Sequence, residues 1–130
     1  MKIEHIAFDV QDPQAVAEWY VRHLGMKIVR KGPPPGCGRF LAPAEGDGDS
    51  MIEVYNNPKV RPPDYRKIDP LVLHLAFVSI DVEGDRARLL AAGATSEGEI
   101  VYGNGDVIAS LRDPWGLPIQ LARRGTAMTT

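Results

Sequence analysis

Two stretches of the chain share one pattern and decide the fold: residues 3–10, Ile-Glu-His-Ile-Ala-Phe-Asp-Val, and residues 72–79, Val-Leu-His-Leu-Ala-Phe-Val-Ser. Both are rich in branched and aromatic residues, as β-strands are. Each contains a His, one apolar residue and then Ala-Phe, so that His5 corresponds to His74 at an offset of 69 residues. The sequence therefore predicts an internal repeat in which each copy opens with a strand.

A helix is predicted directly after each of these strands. In the first copy Asp12 is a favourable N-cap, Pro13 suits the first helical position, and Gly25 suits the residue that follows a helix. In the second copy Asp81 can cap a helix and Gly93 can end it. The two copies therefore continue alike from strand to helix.

Three strand-like segments follow each helix and are separated by Gly, Pro and Asp residues. They lie near residues 26–31, 38–42 and 51–55 in the first copy, and near residues 97–102, 106–112 and 118–122 in the second. The element order is βαβββ in each copy. This pattern predicts an α+β fold built from two βαβββ modules.

The repeat also predicts the domain organisation. Module one covers about residues 1–56, module two covers about residues 71–122, and residues 57–70, with four prolines and no helical or strand period, connect them. A module of about 60 residues buries too little surface to be comfortably stable alone, so we expect one domain over residues 1–125. Residues 126–130 lack periodicity and are expected to fray.

The composition indicates an ordinary globular protein with a small-molecule partner. The chain has 130 residues, of which 44% are hydrophobic and 25% are charged, and its net charge is -2 without long runs of either sign. Such a distribution attracts neither nucleic acid nor a membrane surface specifically. Cys37 is the single cysteine, and the sequence shows neither a signal peptide nor the roughly twenty apolar residues that span a bilayer. We therefore expect a cytoplasmic protein.

Polar side chains interrupt the apolar runs of the predicted strands at matching places. Glu53, His74 and Gln120 each lie between two branched apolar residues, whereas His5 shows this pattern less cleanly. Because side chains alternate along a strand, each polar group points away from its apolar neighbours. Glu53 corresponds to Gln120 at an offset of 67 residues, so the four positions form two symmetric pairs.

These two pairs contain donors that divalent metal ions use. Imidazole nitrogen and carboxylate or amide oxygen bind ions such as Zn²⁺, Ni²⁺, Fe²⁺, Mn²⁺ and Co²⁺. Four protein ligands leave an octahedral ion two open positions for water or for substrate oxygens. Any one of these residues alone is more often just the solvated side of a strand, but their matched placement predicts one divalent metal ion held by His5, Glu53, His74 and Gln120.

Two other features bear on a binding site. Residues 31–38, Lys-Gly-Pro-Pro-Pro-Gly-Cys-Gly, join two predicted strands, either as the border of a pocket or as a surface hairpin turn. A second turn is predicted at residues 47–49. Five arginines are candidate anion contacts and could equally be solvated surface: Arg22, Arg39, Arg61, Arg66 and Arg112.

Over residues 1–122 the chain resembles the vicinal-oxygen-chelate superfamily, the glyoxalase/bleomycin-resistance/dioxygenase family. The likeness rests on residues 3–7, 19–25, 74–77, 89–94 and 113–121. It implies two βαβββ modules that form an incomplete mixed-sheet barrel around a metal pocket, commonly in a homodimer. It also implies that His5, Glu53, His74 and Gln120 occupy the metal-ligand positions.

The family resemblance also suggests a reaction. Most catalytic members carry Glu on the last strand, where this chain has Gln120, and an amide can ligate a metal through its oxygen but cannot act as a general base. The epimerase members combine His and Gln in one module with His and Glu in the other, which is the present set with the modules exchanged. The resemblance therefore implies a lyase or isomerase of the glyoxalase I or epimerase type, in which Glu53 removes a proton next to a metal-bound carbonyl.

Two other functions use the same residues differently. A metal-free small-molecule binding protein of the bleomycin-resistance type would need no ligand set, and its pocket could be lined by aromatic residues that otherwise pack in the core: Trp19, Tyr55, Tyr65 and Trp115. An Fe(II) extradiol-type dioxygenase would use His5, His74 and Glu53 as two histidines and one carboxylate. Metal content distinguishes the metal-free binding protein from the lyase or isomerase, and oxygen consumption with a catechol distinguishes the dioxygenase from it.

Overall fold

The computed structural model describes residues 1–46 and 50–128. Two α-helices and nine strands occur in the described chain: β1 (His5–Asp9), α1 (Pro13–His23), β2 (Met26–Lys31), β3 (Arg39–Pro43), β4 (Met51–Tyr55), β5 (Leu75–Val78), α2 (Val82–Ala91), β6 (Thr95–Ser96), β7 (Val101–Gly103), β8 (Asp106–Arg112) and β9 (Pro118–Arg123). The chain forms two compact units, Met1–Pro63 and Asp64–Thr130, called here the N-terminal and C-terminal units. Within the described residues, no helix is long and apolar enough to cross a membrane.

The N-terminal unit is an open four-stranded sheet with α1 packed on one face. The strand order is β1-β4-β3-β2, with β1 parallel to β4 and the other pairs antiparallel. Val16 and Tyr20 of α1 are buried, as are Leu41 and Val54 of the sheet. Because alternate strand residues point to opposite faces, the core lies between helix and sheet, and the other face carries the polar positions of β1 and β4.

The C-terminal unit repeats this arrangement. Its sheet has the order β5-β9-β8-β6, with β7 also paired to β8, and β5 is parallel to β9 as β1 is to β4. Leu89 of α2 and Leu111 and Ile119 of the sheet are fully buried. Neither sheet closes on itself, and the predicted α+β fold with two repeated modules and mixed sheets is confirmed.

The predicted helix ends are confirmed by their capping bonds. The backbone N–H of Ala15 donates to the Asp12 carboxylate at 3.1 Å, and that of Gly84 donates to the Asp81 carboxylate at 3.0 Å. These bonds satisfy donors that the first turn of a helix otherwise leaves unpaired. The chain leaves both helices through glycines with positive φ, +63° at Gly25 and +106° at Gly93, a conformation that costs other residues a steric penalty.

One predicted strand is divided in two. The strand expected near residues 97–102 is replaced by β6 and β7, which both pair with β8. The backbone N–H of Glu97 still donates to the Ser110 carbonyl at 2.9 Å, but Gly98 then takes a φ of +74°. That left-handed turn interrupts the extended backbone, so the C-terminal unit has one strand more than the N-terminal unit.

The boundary between the units, after Pro63, lies inside the predicted connection of residues 57–70. The second part of this connection has structure, because Tyr65–Lys67 form a short 3₁₀ helix and Tyr65 is buried. The Arg112 side chain donates to the Tyr65 carbonyl at 2.9 Å and ties the segment to β8. At the C-terminus residues 126–128 form neither helix nor strand, whereas residues 129–130, with the predicted turn at 47–49, lie outside the described residues.

Candidate metal centre

The N-terminal unit brings two of the four predicted ligands, His5 and Glu53, together. His5 is the first residue of β1 and Glu53 is the third residue of β4, and Glu53 is in register with Ala7, two residues beyond His5. Paired and alternate positions share a face, so both side chains lie on the side of the sheet opposite α1. His5 Nε2 is 3.8 Å from Glu53 Oε1, and the Glu53 side chain is about 23% exposed.

The His5 ring is held by two neighbours. Its Nδ1 lies 2.9 Å from a carboxylate oxygen of Glu4, and Phe40 packs edge-on against the ring with centroids 5.2 Å apart. Because the Glu4 oxygen can only accept, Nδ1 carries the hydrogen of the neutral ring. The lone pair is then on Nε2, the nitrogen that faces Glu53.

The second predicted histidine has an equivalent arrangement in the C-terminal unit. His74 precedes β5 by one residue, instead of lying within the strand as predicted, and its Nδ1 is 2.6 Å from the Pro70 carbonyl oxygen. That oxygen also only accepts, so Nδ1 is the donor, and in the neutral ring of His74 the lone pair is on Nε2. The Pro70 carbonyl thus accepts from His74 Nδ1 as the Glu4 carboxylate accepts from His5 Nδ1.

Gln120 occupies the place that corresponds to Glu53. It is in register with Ala76, two residues beyond His74, which is the relation that Glu53 has to His5. Gln120 is half-buried between two buried residues of β9, and its Nε2 donates to the Ser110 hydroxyl at 3.3 Å. Since the amide nitrogen is engaged, the amide oxygen is the atom left to ligate a metal.

Each unit therefore presents one imidazole Nε2 and one side-chain oxygen from the same two register positions. Within residues 1–46 and 50–128, no three side chains of the His, Cys, Asp and Glu types gather into a metal-binding group. The structure thus pairs His5 with Glu53 and gives Gln120 the register position equivalent to that of Glu53. A shared ion for all four residues stays a prediction from the sequence.

The proline-rich tract of residues 31–38 is the hairpin loop between β2 and β3, and it also reaches Glu53. A Cβ placed on Gly38 would lie 3.5 Å from the Glu53 carboxylate, so the loop end passes beside this side chain. Arg39 holds the loop by donating to the carbonyls of Cys37 and Gly38, each at 3.0 Å. The tract is therefore a hairpin, as one of the two interpretations predicted, and its role as a pocket border stays a prediction.

Three of the five candidate anion-binding arginines have structural contacts. Arg39 donates to loop carbonyls, Arg66 donates to the Pro114 carbonyl at 2.6 Å, and Arg112 donates to the Gly116 carbonyl at 3.1 Å. Arg112 also pairs with Glu97. Their guanidinium groups stabilise irregular backbone, so they are poor candidates for a ligand contact.

A family model and several known proteins match this chain. A model of the Glyoxalase/Bleomycin resistance protein/Dioxygenase superfamily matches residues 2–121. The sequence is 29% identical over 126 residues to the protein "Lactoylglutathione lyase GLX1" of Arabidopsis thaliana, a match that covers 93% of this chain and 44% of that protein. The chain therefore spans less than half the length of this curated relative.

Solved structures share the fold over nearly the whole chain. The crystal structure of SMU.1112c is 30% identical, with a TM-score of 0.71 and coverage of 95% of this chain and 98% of that one. TnmS3, an antibiotic binding protein from Streptomyces sp. CB03234, is 22% identical, with a TM-score of 0.71 and coverage of 97% of both chains. At 22% identity the second likeness concerns the fold alone.

Proposed function

This chain belongs to the Glyoxalase/Bleomycin resistance protein/Dioxygenase superfamily, and from that premise we propose that it is a metal-dependent lyase or isomerase acting on a small molecule. The proposed reaction is removal of a proton from the carbon next to a substrate carbonyl. One divalent metal ion would be held by His5, Glu53, His74 and Gln120, with Glu53 as the base.

The observation that carries the proposal is that Nδ1 of each histidine is engaged in a hydrogen bond. A metal-ligating histidine almost always donates its second ring N–H to a carboxylate, a backbone carbonyl or water, which fixes the tautomer and the ring orientation. His5 has the Glu4 carboxylate in that role and His74 has the Pro70 carbonyl. In its neutral form each histidine therefore has its lone pair on Nε2, the nitrogen left for a metal ion.

The oxygen donors complete a set that suits a divalent ion. Glu53 supplies a carboxylate and Gln120 an amide oxygen, and two imidazoles with two oxygens suit Zn, Ni, Fe, Mn or Co. A bound ion of this kind supplies Lewis acidity, which polarises a carbonyl and stabilises negative charge next to it.

Glu53 is the member of the set that can accept a proton while the histidines act as ligands. Its carboxylate is partly exposed on the sheet face opposite α1, where a substrate can reach it, and the backbone of Gly38 beside it leaves space that a side chain would fill. Gln120 cannot take this part, because an amide is not a base. The likeness to a lactoylglutathione lyase supports the proposed class of reaction.

Metal analysis tests the proposal directly. We expect about one transition metal ion per chain in protein purified without added metal or chelator, and loss of that metal in His5→Ala and in His74→Ala. His23→Ala is the matched control, since His23 lies at the end of α1 against Trp19 and should leave the metal in place.

Two outcomes would favour the alternatives. A chain that stays metal-free after incubation with Ni²⁺, Zn²⁺, Mn²⁺ or Fe²⁺ would fit a small-molecule binding protein of the bleomycin-resistance type. Tyr65, one of the aromatic residues considered for such a pocket, is buried in the C-terminal unit and is better explained as core. Oxygen consumption by the iron-loaded protein with a catechol would favour a dioxygenase.

We also expect the protein to be a homodimer in the cytoplasm. Sedimentation equilibrium of the purified protein tests whether it is a dimer.

A further inference from the structure

Strand β2 contains an irregularity that changes the direction of one side chain. Met26 is buried and Ile28 is in register with buried Leu41, so both lie on the α1 side of the sheet. Simple alternation would place Arg30 there as well. The register instead shifts between Ile28 and Arg30, and Arg30 pairs with Phe40.

This shift moves Arg30 to the face that carries the candidate metal ligands. Phe40 is in register with Glu53 on β4, and Glu53 is in register with Ala7 on β1. Arg30, Phe40 and Glu53 therefore lie in one row across the sheet on the face opposite α1. β-Bulges are frequent beside active sites, where the extra residue redirects a side chain.

A small cavity lies at this end of the row. It has a volume of about 210 Å³ and is lined by Glu4, Val29, Arg30, Phe40 and Met51. Phe40 packs on the His5 ring and Met51 is in register with His5, so the cavity adjoins the first candidate ligand. Its volume is below the range of about 300–1,000 Å³ typical of drug-sized ligands, which limits an occupant to a short chain or a single ring.

The charged groups of the cavity have different roles. Glu4 is engaged by the His5 ring. No hydrogen bond or ion pair to another described residue occupies the Arg30 guanidinium, and its side chain is exposed. An unengaged guanidinium presents a planar fork of donors that matches a carboxylate.

We propose that Arg30 and the apolar walls of this cavity form a substrate subsite that binds a carboxylate attached to a short apolar group. The carboxylate pairs with Arg30, and the apolar group lies against Val29, Phe40 and Met51. That the occupant is the substrate of the enzyme rests on the proposed function. The subsite itself rests on Arg30 and the cavity, neither of which involves the metal ion.

The test uses phenylacetate as probe and phenylacetamide as its uncharged match. Each is titrated into chelator-treated full-length protein while backbone amide resonances are followed by NMR. We expect phenylacetate to shift amides of β2 and β3, and phenylacetamide to bind about tenfold or more weakly, the loss that one charge-assisted contact produces. Arg30→Gln should reduce phenylacetate binding to the level of phenylacetamide.

Lys27→Gln is the control for overall charge. Lys27 lies on the same strand and is also exposed, but it does not line the cavity. Phenylacetate affinity should change little in this variant. No binding of phenylacetate, equal binding of acid and amide, or an equal loss in both variants would overturn the subsite.

The same experiment separates the subsite from the proposed function. It is carried out without metal, so selective phenylacetate binding by a chain that never takes up metal would leave the subsite standing and remove the enzyme proposal. If the protein takes up metal when metal is offered but does not bind phenylacetate in this test, the enzyme proposal stands and the subsite is refuted.

Discussion

At the residue scale, the proposal depends most on the carboxylate of Glu53. Glu53→Gln keeps an oxygen ligand of the kind that Gln120 offers, but it removes the proposed base. We expect the variant to stay folded and keep its metal while turnover falls by at least about 10²-fold, the usual contribution of general base catalysis. Metal content and turnover are measured together, on whichever lyase or epimerase substrate the wild-type protein converts.

The matched variant is Glu18→Gln, an exposed carboxylate on α1 away from the ligand face. Its turnover should equal that of the wild-type protein. A fully active Glu53→Gln variant would refute Glu53 as the base.

Glu4 offers a second test at this scale, because its carboxylate accepts the hydrogen bond from His5 Nδ1. In Glu4→Ala the ring loses its oriented tautomer, and we expect metal affinity to fall by about 10- to 100-fold, as with other outer-sphere partners of histidine ligands. The measurement is a competition titration with a metal-binding dye. Unchanged affinity would mean that Glu4 only lies beside His5, and Glu18→Ala controls for the lost charge.

Alternation along the strands predicted the direction of the Glu53 and Gln120 side chains but not that of Arg30. Glu53 and Gln120 each stand between buried residues of a regular strand, so alternation gave their direction. In β2 the same rule directs Arg30 towards the core, and only the register shift shows otherwise. A charged residue on an expected core face, with no partner to pair with, was the available signal of a bulge.

At the scale of elements, the N-cap of α1 controls how the chain turns from β1 into the helix. Asp12→Ala removes the acceptor of the Ala15 N–H, and we expect the free energy of unfolding to fall by about 1 kcal/mol. Chemical denaturation measures the change. Asp12→Asn keeps an oxygen acceptor and should cost much less, so an equal loss in both variants would argue against the capping bond as the cause.

The end of β9 is tied to β8 by a carboxylate that should respond to pH. Asp106 accepts from the Gly125 N–H at 2.9 Å and from the Arg124 side chain at 2.8 Å. These bonds, the backbone one first, hold the pKa of Asp106 below its ordinary 3.8. Since the pKa is lowered by folding, the stabilisation is complete above that ordinary value and is lost as pH falls through the lower, folded value.

The expected signature is a Gly125 amide resonance that titrates with a midpoint below pH 3.8. Asp106→Asn should abolish that transition. A midpoint at or above the ordinary value would contradict the proposed bonds.

Element order could be predicted from the sequence because caps, glycines and alternation all act locally. The exceptions arose where longer-range contacts or a single backbone angle determine where an element begins or ends. Gly98 was included in a strand that its positive φ divides, and His74 lies just before β5, with its ring bonded back to the Pro70 carbonyl. The Tyr65 carbonyl accepts from Arg112, 47 residues away, and no local sequence pattern predicts that contact.

At the scale of the whole molecule, the repeat is visible in atomic detail. Both units place an oxygen-bearing side chain two register positions beyond a histidine, and both histidines have Nδ1 engaged. The pairs differ in chemistry, since one carries a carboxylate and the other an amide. If these four residues hold one ion, a set with Glu53 as its single base suits a reaction that moves one proton.

If the four residues bind one ion, removing any one ligand should abolish the whole stabilisation that the metal provides. A ligand that binds only the folded chain raises the free energy of unfolding by about 2.7 kcal/mol at a hundred times its dissociation constant. We expect metal to stabilise the wild-type protein by about this amount, and His5→Ala or His74→Ala each to lose the whole increment. The double variant should then lose no more than either single one, measured by denaturation with and without metal. Partial losses that add in the double variant would instead indicate two separate weak ions, one at each histidine, and would remove the basis for assigning all four ligands to one catalytic centre.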